Sequence, residues 1–166
     1  GSQCGTQYCR VLGRTLDLVV WILDAQGPAP SDLNQARAQM GTIRTGLDLA
    51  LRAVPPRTRL AQSLLERGSG LLGFDPSLEI YRAEFVYRQI QLALLDGRTD
   101  DAADLLGQLT TLDPKLGDNA RLLLLNRFVE NWQARRTPQT ARSICDLGAQ
   151  VLASMTPPHP EALGLQ

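Results

Sequence analysis

The side chains that most often carry out catalysis are scarce in this sequence. The single histidine, His159, lies in a proline-rich segment, where nothing rigid would position it as a general base. The cysteines at positions 4, 9 and 145 have no paired spacing, and Cys4 and Cys9 alone are too few for the four ligands of a zinc site. The glycine-rich stretch 68–73 lacks the lysine of a phosphate-binding loop. The sequence therefore predicts a protein that is not an enzyme, with no catalytic residues, cofactor or bound metal.

One cluster of acidic residues could in principle bind a cation. Its members are Asp96, Asp100, Asp101 and Asp104. The cluster does not follow the EF-hand pattern of alternating ligands with a central glycine and a terminal glutamate. Aspartates are also favoured in the first turn of a helix, where they face the positive end of the helix dipole. We interpret the cluster as a helix start with a solvated face.

Phosphate binding by arginine is the other chemistry that the residue types suggest. Arginines concentrate towards the C-terminal part of the chain, at positions 121, 127, 135, 136 and 142. Glu130 stands within this group, and Asp146 follows it closely. The chain has 17 basic and 17 acidic residues, whereas a polyanion-binding domain usually has a basic excess. Nucleic-acid binding by the arginine-rich segments 118–134 and 138–155, which are predicted below to be the sixth and seventh helices, is therefore an alternative and not the main prediction.

The elements that must position these residues are predicted to be helices. In the 166 residues, 43% are hydrophobic and 20% charged, which is typical of a globular domain. Aromatic residues make up only 5%, and runs of β-branched residues are nearly absent. Proline and glycine divide the chain into seven helical segments, with Ser31, Asp75 and Thr99 as expected N-caps. The predicted segments are about 6–25, 31–54, 57–72, 75–96, 99–112, 118–134 and 138–155.

An apolar run, residues 18–23, stands in the first helix. Six residues cannot span a bilayer, which needs about twenty, so no membrane span is expected. The run predicts the middle of a buried helix or, alternatively, an interface helix whose partner is absent from this sequence. Unpaired thiols favour a reducing compartment, and a cytoplasmic location is expected. Gly1 and Ser2 are typical of a cloning remnant, so we expect the chain to be part of a larger protein.

Residues 83–115 carry a pattern that resembles one tetratricopeptide repeat. Gly97 stands at the turn, Asp100-Asp101-Ala102 opens the second helix, and Leu112-Asp113-Pro114 closes it. Gly97 would permit a left-handed helix C-cap, and Pro114 would prevent the fifth helix from continuing. The resemblance implies an all-α, right-handed superhelix of antiparallel helical hairpins, a TPR-like α-solenoid. It also implies an N-terminal capping helix and linker over 1–30, a helical-repeat domain over 31–156 and a flexible tail over 157–166.

The sequence departs from the family pattern inside the first helix of this unit. Ile90 stands where the family prefers glycine or alanine, Gln89 where it prefers an apolar residue, and Ala93 where it prefers a large aromatic residue. We therefore expect the packing between the two helices of this hairpin to be wider or shifted.

The resemblance further implies a protein-binding groove lined by the first helix of each unit. Carried over to this sequence, the groove residues are Glu84, Tyr87, Gln91 and Leu94 on the fourth helix and Asn126, Glu130 and Gln133 on the sixth, flanked by Arg88 and Arg127. The predicted function is a non-catalytic scaffold or adaptor domain that binds a peptide or helix of another protein. Self-association through the first helix, as a domain of a larger protein, is a further alternative.

Overall fold

Helices make up nearly all of the regular structure. The computed structural model describes residues 2–134 and 136–154, and within these ranges it contains seven α-helices, one 3₁₀ helix and no strand. The predicted all-α class with seven helices is therefore confirmed. The α-helices are α1 (Ser2–Gln26), α2 (Leu33–Arg52), α3 (Thr58–Leu72), α4 (Arg82–Leu95), α5 (Thr99–Leu112), α6 (Pro114–Ala134) and α7 (Pro138–Ser154), and the 3₁₀ helix is Pro76–Tyr81.

Four predicted helix starts are wrong in detail. Thr99 is not the N-cap of α5 but its first residue, because Arg98 holds the cap position. Asp32, not Ser31, caps α2, because its Oδ1 accepts the Gln35 N–H at 2.8 Å. The segment after Asp75 begins as the 3₁₀ helix, and α4 starts only at Arg82. Helix α6 starts at Pro114, four residues earlier than expected, because proline fits the first turn of a helix and Asp113 accepts the Leu116 N–H there.

The turn at Gly97 has the predicted left-handed conformation. Gly97 has φ = 75°, and the N–H groups of Gly97 and Arg98 donate to the carbonyls of Leu94 and Ala93. This pair of bonds is the Schellman arrangement that ends a helix on a glycine. Ala102, which opens α5, is fully buried. The local features that suggested a helical hairpin at α4 and α5 are therefore present.

The helices pack in chain order. Each one touches the next, from α1 through α7, and two further contacts join α2 to α4 and α4 to α6. Alternate helices α2, α4 and α6 thus lie side by side. The short connections explain the pairing of sequential helices, because a chain that reverses within a few residues must return beside itself.

Helix α4 belongs to both hydrophobic cores of the molecule. Its Phe85 and Leu92 complete the first core, which comes otherwise from α1, α2, α3 and the 3₁₀ helix. Its Val86, Ile90 and Ala93 belong to the second core, shared with α5, α6 and α7. The two cores therefore meet on opposite sides of one helix.

Helix α1 is attached to the stack by one face and by its C-terminal end. Leu16, Val19 and Leu23 are buried, whereas Leu18 and Trp21 are exposed, so the predicted burial of the apolar run is right for one face only. At the end of the helix, Arg67 donates to the carbonyls of Leu23, at 2.8 Å, and Gly27. These bonds satisfy carbonyls that a helix C-terminus otherwise leaves unpaired.

Gly68 allows α3 and α4 to approach closely. A Cβ built at Gly68 would overlap the ring of Phe85, which is itself buried. Gly70, two residues further along the same helix, has no atom within 4 Å of the corresponding Cβ position and is exposed. The two glycines look equivalent in the sequence, but only Gly68 is required by packing.

We expect Gly68→Ala and Gly70→Ala to change stability in opposite directions. Gly68→Ala should lower the free energy of unfolding by about 1–3 kcal/mol, because the methyl group displaces the Phe85 ring. Gly70→Ala should raise it by up to about 1 kcal/mol, because alanine is the better helix former. Urea unfolding followed by circular dichroism measures both. Equal effects of the two substitutions would contradict the close contact.

Candidate functional site

A cleft of about 420 Å³ lies where α2, α4 and α6 stand side by side. Its lining combines leucines with arginines and other polar groups. The lining residues are Leu51 and Arg52 of α2, Arg88, Gln91, Leu94 and Leu95 of α4, and Leu123, Asn126, Arg127 and Glu130 of α6. A surface that joins apolar side chains to convergent polar groups is the usual composition of a binding site.

Helical periodicity explains why α4 presents these side chains together. Arg88, Gln91 and Leu95 follow one another at intervals of three and four residues, which places them on one face of the helix. The core residues of α4 occupy its remaining two faces. On α6, Leu123, Arg127 and Glu130 have the same spacing, while Ala120 and Leu124 point into the second core.

Ion pairs fix the arginines of the cleft. Arg88 donates to Asp48 Oδ1 of α2 at 3.1 Å and to Gln91 Oε1 at 3.0 Å. Arg52 also reaches Asp48 Oδ1, at 3.1 Å, so two guanidinium groups share one carboxylate. Arg127 pairs with Glu130 of its own helix at 3.1 Å. The cleft has three arginines, Arg52, Arg88 and Arg127. The carboxylates of Asp48 and Glu130 balance two of these charges, so one positive charge remains.

The structure brings together five of the eight predicted partner-binding residues. Arg88, Gln91, Asn126, Arg127 and Glu130 line the cleft.

The other three lie outside it. Glu84 pairs with Arg44 of α2 at 2.7 Å, and Arg44 stacks over the Tyr81 ring at 4.6 Å. Tyr87 is half-buried against the second core, and Gln133 is exposed.

The α2 side of the cleft was not predicted from the sequence. Leu51 follows the apolar spacing of α2, which predicts a buried position, and no pattern in the sequence places Arg52 in a cleft. Leu95, at the end of α4, is 41% exposed and lines the cleft together with Arg88. Leu95 does not follow the spacing of the core residues of α4, and this departure was the one indication of the cleft surface in the sequence.

The arginines of the nucleic-acid alternative do not form one free basic surface. Arg121 pairs with Asp118 at 2.5 Å and donates to Thr110, and Arg127 pairs with Glu130. Arg136 and Arg142 are exposed, and Arg135 lies outside the described residues. The pairing of Arg121 and Arg127 with acidic neighbours leaves fewer charges for phosphate than the sequence count suggests.

The acidic cluster is held partly by Arg98, which pairs with Asp96 at 3.3 Å and Asp101 at 2.7 Å. These two hydrogen bonds raise the pKa of the Arg98 guanidinium. Asp100 and Asp104 are exposed. Across the described part of the chain, no group of three or more histidine, cysteine or acidic side chains is close enough to hold a metal ion.

The remaining residues with reactive side chains are scattered. Cys145 is an exposed free thiol on α7. The side chains of Cys4 and Cys9, together with His159 and the predicted tail, lie outside the described residues.

Comparison of the chain with protein-family models, with curated proteins and with solved structures finds no match. The tetratricopeptide resemblance therefore stays a prediction from residues 83–115. Among the helices that the structure describes, none has both the length and the apolar character that crossing a bilayer requires.

The ion pair between Arg88 and Asp48 should stabilise the packing contact between α2 and α4, which we call the joint between these helices. A double-mutant cycle with Arg88→Met and Asp48→Asn should give a coupling of about 0.5–1 kcal/mol in the free energy of unfolding, since the pair is partly exposed. The control cycle, Arg127→Met and Glu130→Gln, removes a pair within one helix and should give about 0.3–0.5 kcal/mol. Urea denaturation measures both cycles. Zero coupling between Arg88 and Asp48 would show that the pair does not stabilise the joint.

Proposed function

We propose that this chain is a non-catalytic docking domain that binds a segment of another protein in the cleft between α2, α4 and α6. The observation that carries the proposal is that the exposed Leu95 lines the same concave surface as Arg88 and Arg127. Leaving a large apolar side chain in water costs free energy that a ligand would recover. The arginines beside it would give orientation to that ligand.

The charges of the cleft favour an acidic ligand. Arg88 and Arg52 share the single carboxylate of Asp48, so each guanidinium retains N–H donors for another acceptor. Arg127 faces the same space from α6. A ligand with a leucine-sized apolar side chain flanked by carboxylates would fill the apolar part of the cleft and pair with these arginines.

The packing order supports a stack of helical hairpins as the scaffold of this cleft. The sequential contacts, the Schellman turn at Gly97 and the side-by-side arrangement of α2, α4 and α6 agree with the hairpin superhelix that residues 83–115 suggest. In such a stack, alternate helices form the inner wall, and that wall is the usual place for an extended peptide or a helix to dock.

Matched leucine substitutions test the docking site. Leu95 and Leu112 each occupy the last position of a helix and are 41% and 43% exposed, but only Leu95 lines the cleft. We would select peptides against the wild-type chain from a random library displayed on phage. Leu95→Glu should weaken the selected acidic peptides at least about tenfold, which corresponds to about 1.4 kcal/mol. Leu112→Glu should leave their affinity unchanged.

Two arginine substitutions, one inside the cleft and one outside it, complete the test. Arg127→Ala should weaken binding and reduce its salt dependence, because the substitution removes a charge from the cleft. Arg142→Ala, which removes the same charge from the exposed surface of α7, should not. Isothermal titration calorimetry at two salt concentrations measures both effects. Selected peptides that bind the Leu95→Glu and Arg127→Ala variants as tightly as the wild type would refute the proposal.

A further inference from the structure

The outer face of α1 exposes large apolar side chains. Val11, Leu18 and Trp21 are 59%, 52% and 66% exposed, and their spacing of seven and three residues places them on one side of the helix. The opposite side carries Leu12, Leu16, Val19 and Leu23, which are buried against the rest of the first core. An exposed apolar stripe of this kind is a common sign of an interface.

Charges on the same outer face are divided along the helix. Arg10 and Arg14 come first along the helix, Arg14 at its middle, and Asp17 and Asp24 follow in its C-terminal half. All four are exposed. In the described part of the chain, none of these four side chains has an ion-pair or hydrogen-bond partner. Elsewhere, many arginines that lie between helices or at their ends are paired with acids, such as Arg44, Arg88 and Arg98.

This pattern is complementary to itself in one orientation only. When two copies of α1 lie antiparallel, the basic half of each helix faces the acidic half of the other, and the apolar stripes meet between them. A parallel pair would place arginine against arginine and aspartate against aspartate. Arg10 and Asp24 are fourteen residues apart, which is roughly 20 Å along a helix. The charges are therefore far enough apart for each end of the interface to form its own ion pairs, independently of the other end.

We propose that the outer face of α1 is a homodimer interface, in which a second copy of this chain packs antiparallel about a two-fold axis. Such an interface is isologous, so each contact between the basic and acidic halves occurs twice. Trp21 would contribute the largest apolar area, as aromatic residues commonly do at interfaces. The interface lies on a different helix from the proposed peptide cleft and does not depend on it.

The dimer should be weak and concentration-dependent. One helix from each subunit buries less than the roughly 1,200 Å² of total surface at the lower limit of stable interfaces. Sedimentation velocity of the whole chain, from low to high micromolar concentrations, should therefore show a monomer–dimer equilibrium. A monomer at every concentration would overturn the proposal.

Charge-reversal variants test whether dimerisation depends on the charges of α1. Arg10→Glu with Arg14→Glu makes the charged face wholly acidic, and Asp17→Arg with Asp24→Arg makes it wholly basic. Each double variant alone should lose at least about tenfold in dimer affinity, because like charges then face each other. An equimolar mixture of the two variants should associate again, as a heterodimer. Arg136→Glu with Arg142→Glu, the same charge change on the segment around α7, should dimerise like the wild type.

Circular dichroism of each variant would show that the helices are retained, since all four positions are exposed. Retained dimers in both charge-reversed variants would place the interface elsewhere and overturn the proposal. A mixture of the two that stays monomeric would overturn the antiparallel arrangement.

Discussion

Helix α4 must bury two of its faces in two different hydrophobic cores, and the rest of the structure depends on this constraint. Phe85 and Leu92 enter the core formed with α1, α2 and α3, and Ile90 and Ala93 enter the core formed with α5, α6 and α7. A helix used in this way keeps little surface for solvent, and this surface includes the face that carries Arg88, Gln91 and Leu95. That face is the one that forms the middle of the cleft, so the position of the site follows from the way the two cores are joined.

Much of the fold could be predicted from the sequence, because helix ends are determined locally. Proline, glycine and capping aspartates act within a few residues of themselves, and they marked all seven α-helices. The turn at Gly97 was predicted for the same reason. The start of α6 was placed four residues too late, and Gly117 lies in the part of the helix that was missed. In the structure it lies inside the helix and packs closely against Thr110 of α5, a contact that no local pattern reveals.

The candidate site was predictable on two of its three helices. The stripes on α4 and α6 follow from helical spacing once these helices are assumed to be neighbours. The contribution of α2 depends on how that helix is rotated against α4, and the ion pair between Arg88 and Asp48, forty residues apart, is part of that arrangement. Glu84 has the spacing of a cleft residue, yet it pairs with Arg44. Pairing across such sequence distances is decided by tertiary packing.

The Phe85 ring packs against Gly68 and so joins α4 to α3. This contact affects how the molecule unfolds in heat or denaturant. Among the described residues, α4 is the one helix that belongs to both cores. The α1–α3 part could therefore lose its order while the remainder persists, unless the packing around α4 is firm. A molecule seated in the cleft would touch α2 on one side of α4 and α6 on the other. Occupancy would then hold the two parts together and oppose the unfolding of either part without the other.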